Sequence, residues 1–293
     1  MRDKLQVQPA SATQPFLRLI RLPNLGLTPM VAIVVLLLIV AVTILAPWIA
    51  PHDPLRMDPL VRLKGRIDGH PLGTDNFGRD VLSRVLIGGR LSLAIGITTA
   101  VVAVSFGMVI GMIAGFFRTA DAVIMRMMDA LMAIPSILLA IALVALNGPS
   151  VGSVIAAITI PEIPRVVRLV RAVMLAAREE PYVEAAIALG SSMPKILFRH
   201  LMPNTLAPLI VQGTYILASG ILTEAVLSFL GAGVSTETPT WGNIMAEGRM
   251  FFRIKPELIL YPGLMLSLCI LSINLLGDAA RDMLDPRLKK RAG

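Results

Sequence analysis

Six stretches of the chain are almost wholly apolar and close to bilayer length, and polar, Gly- and Pro-containing segments separate them. They run from about Met30 to Ile49, Leu91 to Phe117, Val123 to Leu146, Val151 to Val170, Leu206 to Leu230 and Leu258 to Leu276. A helix needs roughly 20 apolar residues to cross the hydrocarbon, so the pattern predicts an all-α, polytopic membrane protein with six transmembrane helices. The fourth stretch is the weakest, because its uncharged part ends near Ile160 and Glu162 and Arg165 follow. It is taken as a crossing partly because the topology otherwise fails. The pattern divides the chain into an N-terminal segment, 1–29, and a membrane domain, 30–293. Within that domain lie an external loop at about 51–90 and a cytoplasmic loop at about 171–205.

Composition points to the same class. The 293 residues are 55% hydrophobic and only 16% charged, with a mean hydropathy of +0.76, well beyond soluble usage. The net charge of +8 does not indicate nucleic acid, because the basic residues gather at membrane edges. Arg165, Arg168 and Arg171 form one helical stripe, which is assigned to orientation and lipid headgroups. Placing both termini in the cytoplasm puts 17 Lys and Arg inside and 10 outside, as the positive-inside rule requires. Seven of the outer ones fall between Pro51 and Arg90, against that rule, but Asp53, Asp58, Asp68, Asp75 and Asp80 accompany them. The first apolar stretch is longer than a signal-peptide core, and Ala46-Pro47-Trp48 is a poor cleavage site; it reads as a retained anchor.

Between the fourth and fifth stretches lies a polar, Ala-rich segment from Pro181 to Asn204. Pro181 and Pro194 suit first helical turns, Gly190 suits a reversal and Ser192 suits a cap, so two short helices are expected. Small Ala185 and Ala186 would let the first sit deep in a partner's groove. Glu184, Ala185, Ala186, Gly190 and Pro203 resemble, in type and spacing, the coupling loop of bacterial ATP-binding-cassette (ABC) importer permeases. Met202 stands where that family often has Leu, a volume-conserving change.

The resemblance narrows further. His70-Pro71-Leu72-Gly73-Thr74-Asp75-Asn76-Phe77-Gly78-Arg79-Asp80, Leu227-Ser228-Phe229-Leu230-Gly231, Pro239-Thr240-Trp241-Gly242, Asn274-Leu275-Leu276-Gly277-Asp278 and Asp285-Pro286-Arg287 are similar to blocks of the dipeptide, oligopeptide and nickel permeases. The match is to the shorter, second permease of each pair. That resemblance implies a type I, MetI-like permease fold in the bacterial inner membrane. It also implies import of di- or oligopeptides, or of nickel, opines, glutathione or sugar derivatives. The implied partners are a second homologous permease, two ATPase domains that bind ATP and Mg, and an extracytoplasmic substrate-binding protein. No G-x-x-x-x-G-K-[ST] occurs, so the phosphate-cradling loop of an ATPase is missing. This chain is expected to be neither an enzyme nor a cofactor carrier. A receptor or scaffold that moves no solute shares the dockable loop and is the reading from a different class.

Several membrane residues invite assignment. Gly107, Gly111 and Gly115 recur at intervals of four, a face that permits close helix approach; helix packing within this subunit is preferred to a sliding contact with the partner permease. Gln212, Tyr215, Ser219 and Thr223 recur at steps of three and four and are the leading candidates for the translocation path. Glu162 and Glu224 also enter that set, since charges in hydrocarbon are expensive. Glu162 has the alternative of pairing with Arg165 or Arg168, and Glu224 that of an interfacial position. Asp129 is read as pairing with Arg126 three residues earlier, and Pro135-Ser136 and Pro161 to Pro164 as candidate kinks.

Other chemistry fits poorly. Gly148-Pro149-Ser150-Val151-Gly152 matches the serine-hydrolase pattern but lies in a short outer loop without the strand-turn-helix context. The three histidines, His52, His70 and His200, are scattered and Cys269 sits in the sixth stretch, so no metal-ligand spacing is evident. Met125, Met127, Met128 and Met132 read as helix packing.

Overall fold

The computed structural model describes residues 26–235 and 237–284. The N-terminal segment before residue 26 and the Asp285-Pro286-Arg287 block lie outside the described residues. Ten helices follow in order: α1 Leu27–Ile49, α2 Val81–Phe116, α3 Arg118–Met132, α4 Ser136–Asn147, α5 Val151–Arg178, α6 Pro181–Ala188, the single turn α7 Met193–Lys195, α8 Met202–Phe229, α9 Trp241–Gly248 and α10 Glu257–Leu284. Among the described residues there is no β-strand, only isolated bridges pairing Ile67 with His70 and Thr74 with Asp80.

Each expected apolar stretch is helical, but they are not six equal spans. By length and composition α1, α2, the α7–α8 unit and α10 can cross a membrane, and a fifth crossing is reached if α3 and α4 count together. The third stretch is not one helix, since α3 and α4 meet at 88°. Pro135 disfavours α-helical backbone at the residue before it, and α4, with 12 residues, is about 18 Å long. By contrast Pro161 and Pro164 lie inside a continuous α5. Glu162, Arg165, Arg168 and Arg171 leave α5 too polar to qualify by composition.

Local chemistry sets the helix starts. Asp80 caps α2 by accepting from Ser83 N at 2.7 Å, and Thr240 and Asn243 form a reciprocal capping box on α9. Ser150 of the hydrolase-like pattern caps α5, accepting from Ser153 N at 3.1 Å. Its Oγ also lies 2.8 Å from Ser153 Oγ.

The most extensive helix interface joins α2 and α5, followed by α2 with α8 and α8 with α10. Gly107, Gly111 and Gly115 face Val166, Val170 and Met174 of α5. A Cβ at Gly111 would lie 2.7 Å from Val170 Cβ and 2.9 Å from the Val167 carbonyl oxygen, so glycine is what lets the two backbones approach. Three buried clusters fill the bundle. One joins α1, α2, α8, α9 and α10 around Trp241, one joins α2, α5, α6 and α8, and one joins α2, α4, α5 and α8. The outer surface carries exposed Leu27, Met30, Val31, Val34, Leu37 and Leu38 on α1 alone, as a lipid-facing helix requires.

With 36 residues, α2 is about 54 Å long. That exceeds the roughly 30 Å hydrocarbon core, so α2 is longer than one crossing needs. Its last turn, at Phe116, meets α6. We call this the α6 end and the opposite one the α9 end.

Candidate functional site

At the α6 end the chain leaves α5 at Arg178 and turns into α6. Val183 and Ala186, three residues apart, are buried against the bundle, whereas Glu184 and Ala185 face out. Ala186 is therefore not part of a surface that could enter a partner's groove; Ala185 is. The reversal after α6 is a Schellman motif, with Ser191 N donating to Ala186 O at 3.0 Å and Gly190 N to Ile187 O at 2.9 Å. Gly190 adopts φ of +76° and a Cβ built there would meet nothing within 4 Å, so a side chain is resisted by backbone conformation and not by space.

The second expected short helix does not stand alone. α7 passes through a π turn, Ile196–Leu201, directly into α8. Ser192 takes cap backbone geometry but makes no capping side-chain bond. Pro203 occupies the first turn of α8. Asn204 Nδ2 donates to Tyr182 Oη at 2.8 Å, tying α6 to the base of α8.

The outward surface of this unit is apolar. Tyr182, Ile187, Leu189, Met193 and Phe198 are all exposed, Leu189 to 86%, with Glu184, Lys195 and Arg199 around them. Beside it a cleft of about 330 Å³ runs between the α2–α3 elbow and α6, lined by Phe116, Phe117, Arg118, Val183, Ile187 and Met193 among others. Monomeric surfaces rarely leave contiguous apolar patches open without a partner.

The arginine stripe of α5 is occupied by carboxylates. Arg165 Nη1 donates to Glu162 Oε1 at 2.8 Å, Arg168 Nη2 to Asp129 Oδ1 at 2.6 Å and Arg171 Nη2 to Asp121 Oδ2 at 2.7 Å. Asp129 thus pairs across to α5 rather than with Arg126, and the stripe clamps α3 onto α5 instead of serving lipid headgroups alone. The physical reason is the bend at Pro135, which allows α3 to pack against α5. Met128 is buried, while Met127 and Met132 are exposed.

Of the proposed path residues, Gln212, Ser219 and Thr223 are half-buried and Tyr215 is exposed on α8. Ser219 Oγ donates to the Ile216 carbonyl at 3.1 Å. Glu162 is buried, held by Arg165. Glu224 does not belong with them. It is completely buried, accepting from Ser228 Oγ at 2.9 Å and Thr240 Oγ1 at 2.8 Å, with Ser92 Oγ at 3.5 Å. Ser92 in turn accepts from Trp241 N at 3.1 Å. Glu224 is the node that fixes α9 between α2 and α8, and it is enclosed rather than interfacial.

The α9 end holds an ionic cluster that sequence reasoning missed. Asp75 Oδ2 accepts from Arg79 Nε at 2.6 Å and from Arg84 Nη1 at 2.8 Å. Glu247 of α9 closes it, bonding to Arg79 and lying 3.1 Å from Arg84 Nη1. Burial pushes both carboxyls above their usual range, with Arg84 opposing the shift. The alternation of Asp and Arg in loop 51–80 is visible in the chain, but Glu247 lies 163 residues from Arg84, beyond any local pattern.

Against known families, residues 107–290 match the family described as the binding-protein-dependent transport system inner membrane component. Residues 28–65 match the N-terminal transmembrane domain of oligopeptide transport permease C. Among curated proteins, one named "Probable peptide ABC transporter permease protein y4tQ", from Sinorhizobium fredii, is 51% identical over 239 residues, 82% of each chain. The di/tripeptide transport system permease protein DppC of Pseudomonas aeruginosa is 42% identical, covering 88% of this chain and 87% of its own. A chain of the MetNI methionine ABC transporter is 21% identical with a TM-score of 0.49, covering 70% of this chain and 96% of its own. A family match across most of the membrane domain, together with relatives this similar over most of their length, means that the chain belongs to the binding-protein-dependent transport system inner membrane components, in the dipeptide/oligopeptide group of ABC transporter permeases.

Proposed function

We propose that this chain crosses the bacterial inner membrane six times with both termini in the cytoplasm. In this reading it is one of two permeases in an importer of di- or oligopeptides. The α6 end is the cytosolic one, and the surface built by Glu184, Ala185, Tyr182, Ile187, Leu189 and Met193 docks an ATPase domain that binds ATP and Mg. A second permease, a second ATPase domain and an extracytoplasmic substrate-binding protein complete the assembly, and the ATPase activity belongs to the partners.

One observation supports this most. An exposed apolar patch sits on a short helix that is anchored through Val183 to the bundle and through Tyr182 to α8. Burying one such side chain fully is worth about 1.5–3 kcal/mol, so a partner covering Leu189 and its neighbours gains a firm hold. Movement of α6 as the ATPases close on ATP would then pass to α8 and rock the bundle between its two access states. The names of the relatives support peptides as cargo, and Gln212, Tyr215, Ser219 and Thr223 of α8 remain the candidates for contact with it.

The test uses the whole complex in nanodiscs with its binding protein. Glu184→Lys and Gly190→Leu should insert normally yet lose most peptide-stimulated ATPase activity. Normal stimulation in both variants would refute the docking role. Affinity capture of the untreated complex that returns no ATPase subunit would favour a scaffold.

A further inference from the structure

The geometry points to a divalent metal site at the α9 end, formed by His52, His70 and Asp80, that takes a zinc-class ion and staples the end of α1 to the start of α2. Two of the chain's three histidines meet here, although 17 residues of loop separate them. Their rings stack at 4.5 Å between centroids and 20° between planes. One ligand atom from each of the three residues lies within 4.8 Å of the other two.

Three features distinguish this cluster from ordinary packing. His52 Nδ1 is buried and has no hydrogen-bond partner among the described residues, an open valence that buried ring nitrogens rarely keep. Asp80 is fully buried at its side chain and already oriented. Its Oδ2 accepts from Ser83 N and Ser83 Oγ, both at 2.7 Å, which leaves Oδ1 to face His70 Nδ1 at 2.9 Å. Ser83 Oγ also accepts from His52 N at 3.1 Å, so one hydroxyl positions two of the three ligating residues, as outer partners do in metal sites.

The ligand set selects the ion. Two imidazoles and one carboxylate suit zinc and its neighbours better than calcium or magnesium, which take oxygen ligands. With bonds of about 2.0–2.1 Å, tetrahedral ligand atoms sit about 3.3 Å apart. The His70–Asp80 edge opens by a few tenths of an ångström and no edge closes by more than about 1.5 Å; because imidazole lone pairs lie in the ring plane, the half-buried His52 must turn out of its near-parallel stack on His70 to ligate. Three protein ligands leave a fourth position for water. The ion would replace the His70–Asp80 hydrogen bond with three coordinate bonds and satisfy His52.

The experiment is zinc titration of the complete complex, stripped with EDTA and carrying no polyhistidine tag, followed by calorimetry and by thermal unfolding. Wild type should bind one more zinc per copy of this chain than His52→Ala does, and zinc should raise its unfolding temperature. His52→Ala and His70→Asn should each weaken that site at least 10-fold while unfolding like wild type without zinc. If His70→Asn does not assemble, His52→Ala decides alone, since its imidazole makes no hydrogen bond to lose. Equal zinc binding by wild type and His52→Ala, or no binding by wild type at 100 µM zinc (about −5.5 kcal/mol), overturns the site. A complex that imports peptide but ignores zinc defeats this inference and leaves the transport reading intact.

Discussion

The α2–α5 contact permits a quantitative test at Gly111. An alanine there places its Cβ 2.7 Å from Val170 Cβ, whereas carbon atoms rest at about 3.5–4.0 Å. The two helices must therefore part by about 1 Å. Overpacking of this kind costs about 1–3 kcal/mol, and the better helix propensity of alanine returns about 0.8–1.0 kcal/mol. The net expectation for Gly111→Ala is a loss of about 0–2 kcal/mol. Gly213→Ala on α8 is the control, because its Cβ would meet only Val104 Cγ2 at an ordinary 3.7 Å, and it should be neutral or stabilising.

Thermal unfolding of the purified complex reads the difference. At about 2–4 °C per kcal/mol, the scale for chains of about 150–250 residues, the overpacking cost of about 1–3 kcal/mol should place Gly111→Ala about 2–12 °C below Gly213→Ala, because the propensity gain is common to both. A double-mutant cycle isolates the contact. Val170→Gly removes the Cβ that is struck, so the Gly111→Ala/Val170→Gly pair should be more stable than the sum of the single effects by about 1 kcal/mol or more, within the range seen for residues in contact. Equal stability of Gly111→Ala and Gly213→Ala, or strict additivity in the cycle, would refute close packing within this subunit.

Arg84→Ala removes one of the two cations shared by the buried Asp75 and Glu247 and leaves Arg79 alone between two carboxyls, so a loss of about 3–5 kcal/mol and faster trypsin cleavage in loop 51–80 are expected; an unchanged cleavage rate would show that Arg84 holds nothing there. Because burial raises the Asp75 and Glu247 carboxyls above ordinary values of 3.8 and 4.5, the folded state binds their protons more tightly than the unfolded one. The stability they add is complete below about pH 3.8 and is lost as pH rises through the raised values, so wild type should lose stability relative to Glu247→Gln on going from pH 4 to pH 7, and the opposite slope would make ion pairing the dominant influence. Glu224→Ala strands the Ser228 and Thr240 hydroxyls, whereas Glu224→Gln keeps an accepting oxygen. The alanine variant should be weaker by about 1–3 kcal/mol and should red-shift Trp241 fluorescence in a Trp48→Phe background; identical behaviour of the two variants would remove Glu224 from the α9 node.

What the chain made legible, and what it hid, follows from the range of each interaction. The apolar stretches, the Pro181 start of α6 and the Gly190 reversal are properties of a few neighbouring residues, and all are found where the sequence puts them. Pro135 marks a kink in the sequence but not its size of 88°, nor that the bend brings Asp121 and Asp129 to Arg171 and Arg168 across 50 and 39 residues. A helix periodicity can propose Arg126 for Asp129; it cannot see that α3 has turned toward α5. The same limit moved Glu224 out of the path. An intramembrane carboxylate is a sound pointer to solute chemistry only when no enclosed donors await it, and Thr240 reaches it from a segment whose capping box also starts α9. Charged residues in this bundle therefore divide by partner rather than by depth. Asp121, Asp129 and Glu224 each hold one helix against another, whereas Glu162 pairs with Arg165 inside α5; Gln212, Ser219 and Thr223, which we propose as solute contacts, lie half-buried on α8.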